Sequence, residues 1–249
     1  MALPAHATKH LPLLAYPFAH STFYLTQTAD GAHNGTALWL AGQCLAFYLA
    51  HLRPNPSTAI ELGSGVGLTA LALASLGWDV LATDIHQVVS AVLSKNISHN
   101  LHAASGRLQI RELDWSVEPE KWNWNNPVSV TAASSTRPLA EPGLQPPFDL
   151  IFSADTVYSP DLVTPLLRTF SALSSASHAL SGRHPLILLC VERRDPALLD
   201  RLLAEARQLW NFTVHRVPRT KLAKCIEKSG VQWDKEDWEG VEIWKLRLS

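Results

Sequence analysis

The sequence has few charged residues, few glycines and few cysteines, and each shortage excludes a class of protein. Only 17% of its 249 residues are charged, while 47% are hydrophobic. Average soluble chains carry about 25% charged residues, so disorder driven by charge is excluded. The 21 basic and 22 acidic residues nearly balance, which argues against binding nucleic acid by bulk electrostatics. This length and apolar content predict a single domain, residues 1–249, with a sizeable core.

The cysteines, Cys44, Cys190 and Cys225, lie far apart and form no C-x-x-C pair. This excludes a disulfide framework and a zinc knuckle, and it is typical of a reducing compartment. His99 and His102 are a close pair with ligand-like spacing, but no cysteine or carboxylate accompanies them, so we predict no metal site. The chain shows no signal-peptide pattern and no apolar run of the roughly 20 residues that a bilayer span needs. We therefore expect a soluble cytoplasmic protein without a membrane partner, and the nucleus stays open as a second location.

Apolar strands alternate with helices along most of the chain. This alternation indicates a parallel sheet covered on both faces, that is, a Rossmann-like, doubly wound α/β fold with seven strands. An N-terminal extension, residues 1–34, is expected to be loose. Strands are predicted over 58–62, 79–83, 108–113, 149–154, 186–191, 212–217 and 241–248, and helices over 36–52, 68–76, 86–101, 159–173 (with Ser159 as the N-cap) and 195–210.

Two segments depart from this alternation. The stretch 116–147 holds six of the sixteen prolines and the Ala- and Ser-rich run 131–136, which predicts a mobile surface insertion. Trp122 and Trp124 are expected to fix its start to the body. The segment 221–240 carries four lysines and two tryptophans, and its pattern leaves open whether it binds a partner or packs on the sheet.

Three of the twelve glycines lie within five residues, in the sequence Glu61-Leu-Gly63-Ser64-Gly65-Val-Gly67. The turn comes between a predicted strand and a predicted helix, the context in which a glycine turn indicates a ligand site. Glycines permit positive φ and let a ligand approach the backbone, and the following helix start directs N–H groups at that ligand.

The next strand ends in an acid, Asp84, 17 residues beyond Gly67. At that place in a doubly wound sheet a carboxylate accepts hydrogen bonds from the two ribose hydroxyls of a nucleoside. The glycines are spaced G-x-G-x-G, and Leu68 stands where a dinucleotide site needs glycine or alanine. This spacing favours S-adenosyl-L-methionine over NAD. Glu61 supports the same choice, because its carboxylate can orient a cationic aminoacyl group and would repel a diphosphate.

Four segments resemble the seven-β-strand methyltransferases, specifically their lysine methyltransferase-like branch. The segments are Gly35-Thr-Ala-Leu-Trp39, similar to a G-x-x-x-W motif; Glu61 to Leu68, similar to E-L-G-x-G-x-G-L; Leu113-Asp114-Trp115, similar to a third-strand ending; and Ser153-Ala154-Asp155-Thr-Val-Tyr158, similar to the D-x-x-Y signature. The glycine turn marks only the superfamily. The last two segments narrow the resemblance to protein methylation.

The resemblance implies a sheet of order 3-2-1-4-5-7-6 with strand 7 antiparallel. It also implies that Trp39 lies along the cofactor, that Trp115 packs near the adenine and that Asp114 lies near its exocyclic amine. Ser64 and Ala154 complete the predicted cofactor contacts. Asp155 and Tyr158 would be the catalytic pair at the mouth where the methyl group is transferred.

The position of Asp155 supports that role independently, because an acid directly after an apolar strand lies at the sheet edge where this architecture binds ligands. A carboxylate and an aromatic ring there can guide an ammonium group and orient its nitrogen. As alternatives, Asp155 only stabilises the N-terminus of the next helix, and Tyr158 is only a packing residue. The charged run 192–195 lies near the acceptor channel in the family, or forms a solvated loop and helix cap.

The leading hypothesis is an S-adenosyl-L-methionine-dependent enzyme, expected to be a monomer, that methylates a lysine of a protein substrate. A small-molecule amine acceptor and a non-catalytic member of the fold stay open as alternatives. A nucleic-acid partner is not expected, because the charges balance and no basic cluster with interleaved aromatic residues is present. The acceptor surface is expected in the stretch 116–147 and the segment 221–240.

Overall fold

The computed structural model describes residues 1–28, 34–52, 57–131 and 143–249. Its strands are β1 (Leu13–Phe18), β2 (Ser21–Thr26), β3 (Thr58–Leu62), β4 (Asp79–Asp84), β5 (Leu108–Glu112), β6 (Leu150–Ala154), β7 (Leu186–Glu192), β8 (Phe212–Arg216) and β9 (Val241–Leu248). Its helices are α1 (Leu40–Leu49), α2 (Leu68–Ser75), α3 (His86–Val88), α4 (Ser94–Asn100), α5 (Val163–Ser181), α6 (Pro196–Gln208), α7 (Arg219–Lys228) and α8 (Lys235–Trp238).

Strands β3 to β9 form one sheet in the order β5-β4-β3-β6-β7-β9-β8. Neighbouring strands are parallel except for β9, which is antiparallel to both β7 and β8. Counted from β3, this is the order 3-2-1-4-5-7-6 with strand 7 antiparallel, so the predicted fold is confirmed. The strand order reverses between β3 and β6, where a doubly wound sheet binds its ligands beyond the carboxyl ends of the strands.

Two hydrophobic clusters cover the two faces of the sheet. One contains Leu45 of α1, Leu71 of α2 and Ile226 of α7. The other contains Phe170 of α5 and Leu202 of α6. Burial of apolar side chains on both faces explains why the central strands are apolar throughout. Within the described ranges, no helix is both long and apolar enough for a membrane crossing.

The N-terminal stretch is not loose, as had been expected, but forms the hairpin β1–β2. Phe23 and Leu25 are fully buried in it. Two asparagines of α4 hold its outer edge: Asn100 Oδ1 accepts from the Tyr24 amide at 2.8 Å and Asn96 Oδ1 from the Thr26 amide at 2.7 Å. The hairpin therefore extends the core and is part of the folded body.

The helices differ from prediction mainly at their ends. Helix α1 begins at Leu40, with Trp39 as its extended N-cap residue. The predicted helix 86–101 contains a π-helical stretch, Val89–Leu93, between α3 and α4. Ser159 makes no side-chain capping bond, contrary to prediction, because a short 3₁₀ turn, Pro160–Leu162, separates it from α5.

Helix α5 also runs to Ser181, well beyond the predicted end near residue 173. Its last turns are rich in alanine and serine, so they lack the bulky apolar residues that mark a buried helix face. They are nevertheless packed, because Ser174 and Ser177 are fully buried. The Ser177 hydroxyl accepts from the Phe148 amide at 3.0 Å.

The described part of the stretch 116–147 packs on β5. Glu112 and Val130 are joined by a backbone bond of 2.8 Å, and Arg111 donates to the Trp124 carbonyl at 2.9 Å. Trp124 also contacts Phe148, with 6.1 Å between ring centroids, which confirms that it fixes the start of the stretch. Residues 132–142, with most of the Ala- and Ser-rich run, lie outside the described residues.

The segment 221–240 packs on the body through its apolar side. Leu222, Cys225 and Ile226 of α7 are buried in the same cluster as α1. Trp233 lies edge-on to Phe47 of α1, with 5.4 Å between ring centroids. The lysines of α7 are therefore on a helix whose apolar side is already covered.

Candidate active site

A cavity of about 390 Å³ lies at the carboxyl ends of β3, β4, β5 and β6. It is where the strand order reverses, as the fold predicts for a ligand site. The predicted site residues that line it are Trp39, Glu61, Gly63, Ser64, Gly65, Asp84, Asp114, Trp115, Ala154, Asp155 and Tyr158. Gly67 alone among the predicted site residues is not on the lining.

The glycine turn is packed so closely that two of its positions exclude a side chain. Gly63 has φ +75°, and a Cβ there would lie 2.6 Å from Thr156 Cγ2. Gly65 has φ +55°, and its Cβ would lie 3.1 Å from the Gly35 carbonyl oxygen. The backbone therefore forms the cavity wall at this point, and a ligand can approach it directly.

Gly67 has a different task. It is the left-handed N-cap residue of α2, and a Cβ on it would lie 3.0 Å from Leu93 Cδ1 in the core. Its amide donates to the Ser64 carbonyl at 2.8 Å and so closes the turn. Gly67 therefore shapes the turn and does not line the cavity, and its predicted cofactor contact stays a prediction.

Asp84 is fixed by backbone donors on both of its oxygens. Oδ2 accepts from the Gly65 amide and Oδ1 from the Ile85 amide, each at 2.8 Å. A carboxylate oxygen can accept more than one hydrogen bond, and Asp84 lines the cavity at the end of β4. This is a preset acceptor for a pair of neighbouring hydroxyl groups.

Glu61 is a buried carboxyl group on the cavity wall, with 1% of its surface exposed. The Thr69 hydroxyl donates to Oε1, while Oε2 has no hydrogen-bond partner among the described residues. Burial raises the pKa of Glu61 to about 8, and the bond from Thr69 limits the rise. A cationic ligand group at this position would satisfy Oε2 and favour the ionised carboxylate.

Trp115 and Asp114 lie on the loop after β5. The Asp114 carboxylate accepts from the Ser116 amide at 2.8 Å. Arg168 of α5, which sequence reasoning missed, donates to the Trp115 carbonyl at 2.7 Å and to Glu118 at 2.6 Å. The loop that presents the tryptophan ring to the cavity is therefore held by a charged donor from α5, the helix against whose cluster Trp115 packs.

Asp155 lies in a left-handed conformation, φ +54°, directly after β6. Its side chain is 6% exposed. The amides of Glu192 and Ala41 donate to its two oxygens at 2.9 and 3.2 Å, and Arg194 Nη2 lies 3.2 Å from Oδ2. Burial raises the pKa of Asp155, and the two amides with Arg194 oppose that rise. The group is a positioned carboxylate, not a helper of the next helix.

Two aromatic rings stand at the same mouth of the cavity. Tyr158 lines the cavity and is 54% exposed. Partial burial of its side chain and the negative charge of Asp84 raise the pKa of its hydroxyl group. Trp39 donates from Nε1 to the Asn34 carbonyl at 2.6 Å, and the Arg194 guanidinium lies 4.5 Å from its ring centroid. The Tyr158 ring offers an exposed face suited to a cation, whereas the Trp39 ring is partly buried and already contacts a cation, Arg194.

Arg168, Thr156 and Arg194 belong to this site but were not singled out as site residues from the sequence. Thr156 lies inside the D-x-x-Y segment, and Arg194 inside the charged run 192–195, so neighbouring motif residues gave a partial signal for both. Arg168 had no signal, because a lone arginine in a predicted helix is typical of an exposed face.

The lining fits S-adenosyl-L-methionine group by group. Asp84 offers acceptors for a ribose, Trp115 a ring surface for an adenine, and Glu61 an unpaired buried oxygen for an amino group. At Gly63 a Cβ would meet Thr156 and Trp115, and without one the backbone itself borders the cavity, where a nucleoside could approach it.

Comparison with known proteins agrees with this geometry. The model of the lysine methyltransferase family matches residues 20–201. Protein N-lysine methyltransferase METTL21A of Mus musculus is 30% identical over 213 residues, covering 84% of this chain and 82% of that protein. Protein-lysine methyltransferase METTL21E of Bos taurus is 28% identical over 248 residues, covering 97% and 77%.

Among solved structures, SMU.776 complexed with SAH superposes with a TM-score of 0.53 at 10% identity, covering 97% of this chain and 57% of that one. At this identity the likeness shows the fold. S-adenosyl-L-methionine is the cofactor of this chain, as predicted. Because the matched range includes the glycine turn, Asp84 and the whole D-x-x-Y segment, the chain belongs to the lysine methyltransferase family.

Proposed function

We propose that the protein transfers a methyl group from S-adenosyl-L-methionine to the side-chain nitrogen of a lysine in a protein substrate. One observation carries the proposal: a single cavity joins a fixed carboxylate suited to a nucleoside, Asp84, to a buried carboxylate beside two aromatic rings, Asp155. The family match and the names of the two relatives support a lysine acceptor.

The bound cofactor supplies an electrophilic methyl carbon on a cationic sulfur. Asp84 would accept from the ribose hydroxyls, and Trp115 with Asp114 would hold the adenine. Glu61 would receive the amino group, since its Oε2 lacks a partner among the described residues. None of these groups acts as an acid or a base, so their contribution is orientation.

Asp155 would guide the acceptor. Its two oxygens accept from the Glu192 and Ala41 amides, and Arg194 also pairs with Oδ2. These contacts fix the direction of the carboxylate, and Oδ1 keeps capacity for a further hydrogen bond. A lysine stem lying between Trp39 and Tyr158 would gain contact with both rings while its nitrogen reached that carboxylate. The nitrogen attacks only when neutral, and partial burial with the charge of Arg194 nearby favours loss of its proton.

A protein rather than a small amine fits the surface around the mouth. Ile85 and Tyr158 line the cavity, yet 36% and 54% of their surfaces are exposed. Exposed apolar groups beside an active site are typical of a docking surface for another protein. The balanced charge of the chain gives no general attraction for nucleic acid. We further propose that the enzyme acts as a cytoplasmic monomer.

The test is methyl transfer from isotopically labelled S-adenosyl-L-methionine into a cell lysate, followed by peptide mapping of the labelled band. We expect label on a lysine of a discrete protein. Asp155→Ala should lose the label yet still bind S-adenosylhomocysteine by calorimetry. Asp200→Ala, which removes a carboxylate from the exposed side of α6, should keep both properties.

Each alternative gives a different result. Label found only in small molecules would overturn the protein acceptor. Absence of any cofactor binding at high micromolar concentration would favour a non-catalytic member of the fold.

A further inference from the structure

The N-terminal segment is fixed beside the mouth of the cavity. Gln27 Nε2 donates to the Thr8 and Leu11 carbonyls at 3.0 and 2.9 Å. The same side chain accepts from the Leu38 amide at 2.8 Å through Oε1. One buried glutamine thus ties the turn 8–11 to the residue that precedes Trp39, and this turn has a defined place relative to the Trp39 ring.

Lys9 is the residue of this turn that lies against the site. Its Nζ is 3.5 Å from the centroid of the Trp39 ring, and Trp39 lines the cavity together with Asp155. The Arg194 guanidinium lies over the same ring and pairs with Asp155. The amine of Lys9 therefore lies against a ring that bounds the cavity, close enough to Asp155 to feel its charge, although Lys9 itself is not on the cavity lining.

The surroundings of Lys9 also favour a nucleophilic amine. Its burial and the charge of Arg194 lower the pKa of Lys9, while Glu192 and Asp155 act in the opposite direction. The net shift is downward, so a larger share of the amine is neutral at a given pH than for an ordinary lysine. Methyl transfer needs that neutral form.

A second lysine provides a comparison within the same chain. Lys221 Nζ lies 5.2 Å from the centroid of the Tyr48 ring. Tyr48 is 1% exposed and belongs to the core, whereas Trp39 is on the cavity wall. A lysine over an aromatic ring is thus not by itself an acceptor; Lys9 differs from Lys221 because its ring partner, Trp39, is on the cavity wall.

We propose that Lys9 is a methylation site for the protein's own active centre, modified within the same molecule. This inference rests on the proposed function, since it uses the same site and cofactor. Lys9 Nζ first gives one proton to solvent. Its lone pair then forms the bond to the methyl carbon, the bond from that carbon to sulfur breaks, and S-adenosylhomocysteine leaves with the electron pair of that bond.

The first test incubates the purified full chain with S-adenosyl-L-methionine alone and maps chymotryptic peptides by mass. We expect one or more increments of a methyl group on Lys9 and none on Lys221. The modified fraction at a given time should stay constant over a hundredfold dilution, because the reaction is intramolecular. A rate that falls in proportion to dilution would overturn transfer within one molecule.

Matched variants locate the cause. Lys9→Arg keeps the positive charge and should lose the mark while labelling of a lysate protein continues. Gln27→Leu should reduce modification of Lys9 at least tenfold, because the Thr8 and Leu11 carbonyls of the turn 8–11 lose the amide group that donates to both of them. Its thermal unfolding and its binding of S-adenosylhomocysteine show whether the rest of the chain is intact. Unchanged modification of Lys9 in a folded Gln27→Leu variant would contradict the placement.

A readout without cofactor tests the geometry itself. The rate at which trace acetic anhydride acetylates Lys9 is measured over a range of pH. The midpoint of this rate profile should lie at lower pH in the native protein than in the denatured protein. Arg194→Gln should move the native midpoint upward, because a nearby positive charge is removed. Equal midpoints in the native and denatured protein would overturn the placement of the amine.

Failure of this inference and failure of the proposed function are distinguishable. A labelled lysate protein with Lys9 unmodified after prolonged incubation would overturn the Lys9 site alone. No label on any lysate protein and none on Lys9 would overturn the proposed function together with it.

Discussion

Two carboxylates mark the two ends of the cavity, and they are held in different ways. Asp84 accepts from Gly65 and from its own neighbour Ile85, 19 and 1 positions away in sequence. Asp155 accepts from Glu192 and Ala41, 37 and 114 positions away. The end proposed to hold the nucleoside (the nucleoside end) is thus built by a local stretch of chain, and the end proposed to hold the acceptor (the acceptor end) by elements that meet only in the folded protein.

The difference suits the two tasks. A local stretch that includes the glycine turn presents the same groups to the same cofactor, so its geometry follows from a short motif. The acceptor end takes parts from α1, from β7 and from the loop that carries Arg194. Changes in any of these elements alter which amine fits, while the nucleoside end stays as it is.

The largest expected effect is at the nucleoside end. Asp84→Asn should weaken binding of S-adenosylhomocysteine by about 3–6 kcal/mol, since two charge-assisted hydrogen bonds to the ribose are each worth about 1.5–3 kcal/mol. Isothermal titration calorimetry measures this. Asp79→Asn, at the start of the same strand and paired with Arg107, is the control and should bind normally. Equal binding by both variants would remove Asp84 from the site.

The glycine turn gives the next effect. Gly63→Ala should lower the free energy of unfolding by about 2–5 kcal/mol, because it adds a clash with Thr156 to the strain of a left-handed residue. Gly77→Ala is matched: its φ is +91°, but nothing lies within 4 Å of the added Cβ. It should cost about 1–2 kcal/mol. Urea unfolding of both variants measures the difference, and similar losses would mean that the turn tolerates the side chain.

The same contrast explains how far the sequence predicts the structure. The bounds of β3 and β9 match prediction, and the residues of the glycine turn with Asp84 line one cavity. Strand, turn, helix and acid follow one another within 27 residues, so spacing alone relates them. This part of the site is predictable because its geometry depends on few residues that are close in sequence.

The rest depends on distant contacts. The hairpin β1–β2 is short and contains Pro17, and its edge is satisfied by Asn96 and Asn100, 70 and 76 positions away. Arg168 reaches Trp115 across 53 positions. Local pattern carries no signal for such pairs, so the loose N-terminus was a wrong prediction and Arg168 was missed.

Glu61 allows a pH test of the nucleoside end. Its pKa is raised to about 8 in the folded chain, from an ordinary value of 4.5, so between these values the folded state binds more protons than the unfolded state. Stability should therefore fall as pH rises through this window, by about 3 kcal/mol between pH 5.5 and 8. Glu61→Gln should flatten that slope in urea unfolding, and an unchanged slope would assign it to another group.

The smallest expected effect concerns the acceptor end. Arg194 is 45% exposed at its side chain, so Arg194→Gln should change the free energy of unfolding by less than about 1 kcal/mol. Its charge opposes the rise in the pKa of Asp155. In the variant, the acidic limb of the pH–rate profile for methyl transfer, measured on the labelled lysate protein, should therefore move to higher pH. Binding of S-adenosylhomocysteine, which depends on the other end, should change less than about twofold.

Arg193→Gln is the matched control for that variant, because Arg193 pairs with Asp200 and Glu242 instead of Asp155. The acidic limb of the pH–rate profile of Arg193→Gln should stay at the wild-type pH. If Arg194→Gln instead weakened cofactor binding as strongly as it changed methyl transfer, the two ends would be coupled through the β6 terminus. The division of the cavity into a locally built end and a long-range end would then hold for the structure but not for the chemistry.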